Sequence, residues 1–222
     1  MINGKDTIRN IGIASVAAVP LVGGPLSFLL DKYVPEENRR RQNVFVLKLS
    51  EDVEKLKDRI DVKNMETPEF KAIFMKLLSE SIFEHREEKL GSFRNILLNV
   101  LIEDNIEKFD KAEFFARLVM DLMPDEIKIL NIFYQLDVKN IKMFEDQGGK
   151  RDIYPILMNL FNESDKEYIQ ALLNDCMRYN LISGSTRQTQ KYGREGIFIT
   201  ELGVQFVQYI FEPSEVNISW KR

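Results

Sequence analysis

Apolar residues recur at helical spacing along the middle of the chain. The first stripe is formed by Phe45, Leu49, Val53, Leu56 and Ile60. Its neighbouring members are three or four residues apart, which puts them on one face of a helix, and charged residues cover the opposite face. This pattern predicts one long helix over residues 36–61.

Further stripes predict that this helix belongs to a bundle. Thr67-Pro68-Glu69 is a helix start, because it combines a capping hydroxyl, a proline at the first helical position and an acid in the first turn. Another helix is predicted from about Glu87. Short polar links separate the helices, so we predict a helical bundle over residues 36–122. The positions expected to face its core are Phe70, Ile73, Phe74, Leu77, Leu78, Ile82, Leu90, Phe93, Ile96, Leu97, Val100, Leu101, Phe114, Phe115, Leu118, Val119 and Leu122.

The C-terminal part of the chain, residues 123–222, begins with three predicted helices. The first starts at Met123-Pro124, and the second runs from Ile153 to about Leu160. The third follows a capping box made by Ser164 and Glu167. The inner faces of the first and third helices are predicted to consist of Ile127, Leu130, Phe133, Ile169, Leu172, Leu173 and Cys176.

Two short strands and a last helix complete this part. Asn180 is a predicted helix C-cap, Leu181-Ile182 begins a strand, and Ile197-Phe198-Ile199 returns after a polar segment with several glycines. Thr200 starts a helix whose inner face is Leu202, Phe206 and Ile210. We therefore predict a mainly α protein, with an N-terminal helical bundle followed by a winged helix-turn-helix domain with a small β-hairpin.

The N-terminal segment, residues 1–35, is apolar, and no charged residue occurs between Asn10 and Leu30. Four interpretations compete: a transmembrane helix, a signal peptide, a helical hairpin packed against the bundle, and a segment that inserts into a membrane when triggered. Prolines and glycines between Pro20 and Pro25 would leave backbone groups unpaired in lipid, so we favour the packed hairpin. The candidate contacts to anionic headgroups in the membrane alternatives are Arg39, Arg40 and Arg41.

The amino-acid composition limits which kinds of binding or catalytic site the protein can contain. The net charge is −4, and neither half has the strongly basic balance expected of a dedicated nucleic-acid binder, so any such contact must come from a local patch. A single cysteine, Cys176, forms no internal disulfide, which favours the reducing cytoplasm. The only histidine, His85, would share a helix face with Glu88, but two ligands make an incomplete metal site. The sequence presents no nucleophile–base pair, so we predict a non-enzymatic protein with no metal and no cofactor.

The predicted winged helix offers two surfaces to a partner. Its third helix, over residues 165–179, carries three acids and two bases, which opposes insertion into a DNA groove. The hairpin tip is more basic and suits phosphate contacts. The candidate contact residues on the two surfaces are Lys166, Arg178, Arg187, Lys191 and Arg194. We predict a protein partner, with a DNA-binding transcriptional regulator as the alternative, and the oligomeric state stays open.

Two resemblances accompany these patterns. The run from Ile197 to Gly203, with Thr200 three residues before Gly203, resembles the winged helices of bacterial transcription regulators. The Pro-Leu-Val-Gly-Gly start, the basic opening of a long helix, and Glu-Glu-Lys followed by Phe-Arg-Asn-Ile-Leu resemble the Abi-alpha (abortive infection) group of bacterial proteins. This second resemblance implies a role in phage defence and assigns no catalytic residues.

Overall fold

The computed structural model describes residues 39–102, 107–138, 154–161, 166–184 and 197–211. Within these ranges the protein is mainly helical, with eight helices and one two-stranded antiparallel sheet. The predicted apolar hairpin at residues 10–30 and the wing residues Arg187, Lys191 and Arg194 lie outside the described residues. Among the described helices, none combines the length and the apolar character needed to cross a bilayer.

The chain divides into two compact units. The first comprises Met1–Asp121 and Ile210–Arg222, and the second comprises Leu122–Tyr209. The sequence predicts a single C-terminal domain over residues 123–222, whereas Ile210 groups with the first unit. Within that unit Asn95 Nδ2 donates a hydrogen bond to Ile210 O at 2.7 Å.

The described part of the first unit contains four helices: α1 (Arg39–Lys55), α2 (Pro68–Glu80), α3 (Glu87–Ile102) and α4 (Lys108–Asp121). Helix α3 packs against the other three, so it forms the centre of the bundle. The predicted stripes supply the core, and most of their members are fully buried. Five members of the stripes are only half-buried: Leu56, Ile60, Ile82, Leu90 and Phe114.

Helix α1 is shorter than the predicted helix over residues 36–61. It ends at Lys55, and a 3-10 turn over Lys57–Arg59 follows in which Arg59 N–H donates to Leu56 O at 2.9 Å. The chain then turns toward α3, because Asp61 N–H donates to Leu101 O at 3.1 Å. Sequence periodicity cannot show this long-range bond, and it ends the helix before Ile60.

The start of α2 confirms the predicted cap. Thr67 Oγ1 accepts a hydrogen bond from Phe70 N–H at 3.2 Å, and Pro68 occupies the first helical position. Such a cap is worth about 1 kcal/mol, because it satisfies an amide that the helix itself leaves unpaired.

The second unit contains α5 (Pro124–Asp137), α6 (Tyr154–Leu160), α7 (Lys166–Arg178), β1 (Ile182–Ser183), β2 (Phe198–Ile199) and α8 (Glu201–Phe211), whose final residues group with the first unit. Helices α5 and α7 pack against each other. All the inner-face residues predicted for these two helices are buried, including Cys176. The two strands pair antiparallel, with Ile182 opposite Ile199 and Ser183 opposite Phe198.

A left-handed residue ends α7 and directs the chain into β1. Asn180 has a φ of 57°, which confirms it as the C-cap position. Its N–H donates to Met177 O at 2.8 Å, and Leu181 N–H donates to Cys176 O at 3.0 Å. Both bonds belong to the Schellman pattern, in which the residues after a helix satisfy its last carbonyls.

The Thr-x-x-Gly run joins β2, α8 and the end of α7. Thr200 N–H donates to Leu181 O at 3.0 Å, and the Thr200 hydroxyl donates to Asn180 O at 2.7 Å. The same hydroxyl oxygen accepts from Gly203 N–H at 3.0 Å, as a helix cap does. A Cβ atom on Gly203 would collide with Leu181 O and lie 2.7 Å from Ile199 Cγ1, so the spacing requires glycine.

Candidate functional site

The exposed face of α7 carries amides and an acid. Glu167, Gln170, Ala171 and Asn174 are exposed on neighbouring turns. Gln170 Nε2 donates to Asn174 Oδ1 at 2.9 Å. Lys166 and Arg178 are also exposed and flank these residues, so the face offers hydrogen-bonding groups with one base at each end.

The two candidate contact residues on α7 lie at its opposite ends. Lys166 is the first residue of the helix and Arg178 the last, so about 18 Å separates them along the axis. The Arg178 guanidinium pairs with Asp175 at 3.4 Å and lies 4.9 Å from the centre of the Tyr179 ring. Arg178 is thus held by its neighbours, and the described part of α7 forms no continuous basic stripe.

A buried carboxyl lies near the Asp175–Arg178 pair. Glu126 is buried, and its Oε2 accepts from Met123 N–H at 2.6 Å at the start of α5. Burial raises the pKa of Glu126 above its usual range, and the Asp175 carboxyl raises it further. Burial also raises the pKa of the Cys176 thiol, and the Glu126 and Asp175 charges add to that increase. The thiol therefore stays protonated, which suits a core residue rather than a nucleophile.

An apolar patch lies in the same unit, formed by Met123, Leu160 and Tyr168, which are 42%, 45% and 37% exposed. Two contacts join Tyr168 to residues close in sequence to Met123 and Leu160. Tyr168 OH donates to Asp125 Oδ2 at 2.9 Å, and the Tyr168 ring meets the Phe161 ring edge-on with centroids 6.3 Å apart. The patch thus combines the start of α5, the end of α6 and the first turn of α7.

In the first unit, Arg40 and Arg41 line a cleft of about 440 Å³. One wall is a face of α1, which carries the two arginines and, after them, Val44, Phe45 and Lys48. The other wall consists of the turn before α3 and the first two turns of α3. We name it the α1–α3 cleft. Arg39, the third predicted headgroup contact, begins α1.

The charged segment before α3 forms an ion pair rather than a metal site. Glu84 accepts two bonds from the Arg86 guanidinium, both 2.7 Å long, and one from each of the His85 and Arg86 backbone amides, both 2.9 Å. Hydrogen bonding from the Arg86 side chain is the main cause that lowers the pKa of Glu84 to about 2. The His85 side chain is 76% exposed.

The predicted pairing of His85 with Glu88 on one helix face is wrong, because α3 begins only at Glu87. Across the described residues, no group of three His, Cys, Asp or Glu side chains is arranged to hold a metal ion.

Sequence reasoning missed the α1–α3 cleft. Lys48 on α1 contacts Glu87 Oε1 at 2.9 Å across the cleft, and Arg94, on the same helix as Glu87, contacts that oxygen at 3.0 Å. Positions 40, 41, 44, 45 and 48 share a helix face, which signals one wall of the cleft. The opposite wall comes from residues about 40 positions further on, and no local pattern pairs the two.

Comparisons of the chain with protein-family models, with curated proteins and with solved structures found no match. The likeness to the Abi-alpha group therefore stays a prediction from the sequence motifs.

Proposed function

We propose that Leu122–Tyr209 is a winged-helix module and that it contacts a protein partner. The order of three helices, an antiparallel strand pair and a further helix supports the winged-helix assignment. The Schellman turn at Asn180 and the close packing at Gly203 hold α7, the strands and α8 in that order.

The apolar patch is the observation that carries the protein-contact role. Met123, Leu160 and Tyr168 expose apolar surface beside the first turn of α7. Interface cores are depleted in charge and enriched in aromatic residues and methionine, and the patch has this composition. Tyr168 is also fixed by its bond to Asp125, so it is pre-organised for contact.

Charge argues against sequence-specific DNA binding by α7. A recognition helix needs cations and bidentate donors directed into the groove. On α7 the amides of Gln170 and Asn174 bond to each other, and Arg178 is engaged by Asp175 and Tyr179. Lys166 alone would contribute little of the phosphate neutralisation on which duplex affinity depends.

Site-specific photo-cross-linking tests the protein contact. A photo-reactive phenylalanine analogue is installed at Leu160, in the patch, or at Glu201, an exposed control position on α8. We expect a cross-linked species of defined mass from position 160 and none from position 201. Met123→Ser should reduce the yield. Equal cross-linking from both positions, or no effect of Met123→Ser, would contradict the proposal.

The alternative, a DNA-binding regulator, is tested by fluorescence anisotropy with a randomised duplex library at physiological salt. We expect no sequence-selective binding. Nanomolar selective binding would overturn the protein-contact role. In that case Arg187→Ala and Arg194→Ala should weaken binding and reduce its salt dependence by about one ion each.

The Abi-alpha resemblance adds a context to this proposal, namely phage defence by a non-enzymatic interaction protein. Expression in a bacterial host should then lower the plating efficiency of a sensitive phage. A Tyr168→Ala variant of equal abundance should restore plating, whereas Glu201→Ala, at the exposed control position on α8, should not. Unchanged plating with the wild-type protein across a broad phage panel would remove this context.

A further inference from the structure

The α1–α3 cleft carries more positive than negative charge. Four basic side chains and two acidic ones line it, so the net charge of the lining is +2 (4 − 2). Its volume of about 440 Å³ lies in the range of small-molecule sites, which is roughly 300–1,000 Å³.

Both acids of the cleft are already neutralised. Glu87 Oε1 is shared by Lys48 and Arg94, and Arg94 Nε also contacts Asp52 at 3.2 Å. Glu84 is held by Arg86 in a bidentate pair, as described above. The acids therefore do not oppose a second anion at the two arginines.

Within the residues that the structure describes, no carboxylate forms an ion pair with Arg40 or Arg41. Arg41 Nη1 donates to Ile82 O at 2.6 Å, which fixes the direction of the guanidinium. No other described residue accepts from its remaining N–H groups, which can therefore meet an acceptor on a ligand. A planar guanidinium held in this way recognises a tetrahedral oxyanion in bidentate fashion.

The wall beside the arginines is apolar. Val44 is 51% exposed, Phe45 is buried, and the half-buried Leu90 of α3 lines the same cleft. An aliphatic group of a few carbon atoms attached to the anion would cover this surface and tighten binding by about four-fold for each buried methylene.

We propose that the α1–α3 cleft binds a phosphate ester, with its phosphate on Arg40 and Arg41 and its aliphatic part on Val44 and Leu90. A phosphomonoester carries a charge of about −1.5 to −2, which matches the lining better than a single carboxylate does. The ester is either a free metabolite or the headgroup of a lipid. This inference does not depend on the role proposed for Leu122–Tyr209.

Calorimetric titration of the full chain tests the site with hexyl phosphate, inorganic phosphate and hexanol. We expect one hexyl phosphate per chain, bound more tightly than inorganic phosphate, and no binding of hexanol. The double variant Arg40→Gln, Arg41→Gln should lower the affinity for hexyl phosphate at least ten-fold, because each charge-assisted hydrogen bond is worth about 1.5–3 kcal/mol. Binding unchanged in this variant, or equal binding of hexanol, would overturn the proposal.

The matched control is Lys57→Gln, Arg59→Gln, which removes the same charge from exposed residues outside the cleft and should change affinity less than two-fold. An equal loss in this control would mean that general charge attraction, and not the cleft, binds the ligand. Should the arginine variant misfold, Val44→Ser provides an independent test. This variant should lower the affinity for hexyl phosphate but not the affinity for inorganic phosphate. Equal changes in the two affinities would refute the apolar contact.

Vesicles distinguish the two sources of the phosphate. The protein is mixed with phosphatidylcholine vesicles that contain phosphatidic acid and then sedimented. If it cosediments, and if the Arg40, Arg41 variant or added hexyl phosphate abolishes this, the ligand is a lipid headgroup. Hexyl phosphate binding without cosedimentation identifies a soluble ester. Cosedimentation that the variant retains, together with no hexyl phosphate binding, would contradict the site.

Discussion

Replacing Gly203 by alanine should destabilise the protein although Gly203 lies in a helix. Alanine is better than glycine in a helix interior by about 1 kcal/mol. Against this, the new Cβ would collide with Leu181 O and approach Ile199 Cγ1 to 2.7 Å. Leu181 O is backbone and cannot rotate away, and moving it breaks the bond it accepts from Thr200 N–H.

The expected magnitude follows from these opposed terms. Overpacking costs about 1–3 kcal/mol, and loss of a buried hydrogen bond adds about 1–3 kcal/mol. After subtraction of the helix-propensity gain of about 1 kcal/mol, Gly203→Ala should cost about 1–5 kcal/mol. For a chain of this length that lowers the Tm by roughly 2–20 °C.

Gly91→Ala is the matched control, because Gly91 also lies inside a helix. Its Cβ would meet only Arg94 Nη2, at 3.8 Å, which is an ordinary contact. Helix propensity then decides the sign, and Gly91→Ala should stabilise the protein by about 0.5–1 kcal/mol.

The assay is urea denaturation followed by circular dichroism, with amide hydrogen exchange to locate the change. Gly203→Ala should reduce protection at Leu181, Ile199 and Thr200 and leave α3 protected, because the collision lies in the second unit. The reasoning is refuted if Gly203→Ala is as stable as the wild type, or if both variants shift the midpoint in the same direction.

Three further predictions concern titratable groups. The pKa of Glu84 is lowered from an ordinary 4.5 to about 2, so its ion pair contributes stability that is present above pH 4.5 and lost as the pH falls toward 2. Glu84→Gln should therefore reduce the free energy of unfolding by about 2–3 kcal/mol at pH 7 and by little at pH 2, as measured by denaturant titrations. A cost that does not change with pH would contradict the ion pair. The raised pKa of Glu126 has the opposite effect, because its carboxylate destabilises the fold as the pH rises past 4.5. Glu126→Gln still accepts the bond from Met123 N–H, so its free energy of unfolding should increase relative to that of the wild type between pH 4 and pH 8. A decrease relative to the wild type over this range would disprove this account. Cys176 should react with iodoacetamide only after unfolding, as followed by mass spectrometry, and rapid labelling of the native protein would show that the thiol is accessible.

The sequence by itself determined the elements whose causes are local. The cap at Thr67 and the left-handed Asn180 each depend on a few neighbouring residues, so pattern and residue type were enough. The apolar stripes of α2, α3, α5 and α7 also predicted which faces are buried, because helical spacing alone decides which side chains share a face.

Only the tertiary structure decided the features that depend on residues far apart in the chain. Helix α1 ends early because Asp61 bonds to Leu101 on α3. At the cleft, Arg41 meets the carbonyl of Ile82, which is 41 positions away. At the apolar patch, Tyr168 meets Asp125, which is 43 positions away. Local propensity carries no information about such pairs. They form because burying the stripes brings distant helices together, and the polar groups left at the edges must then find partners.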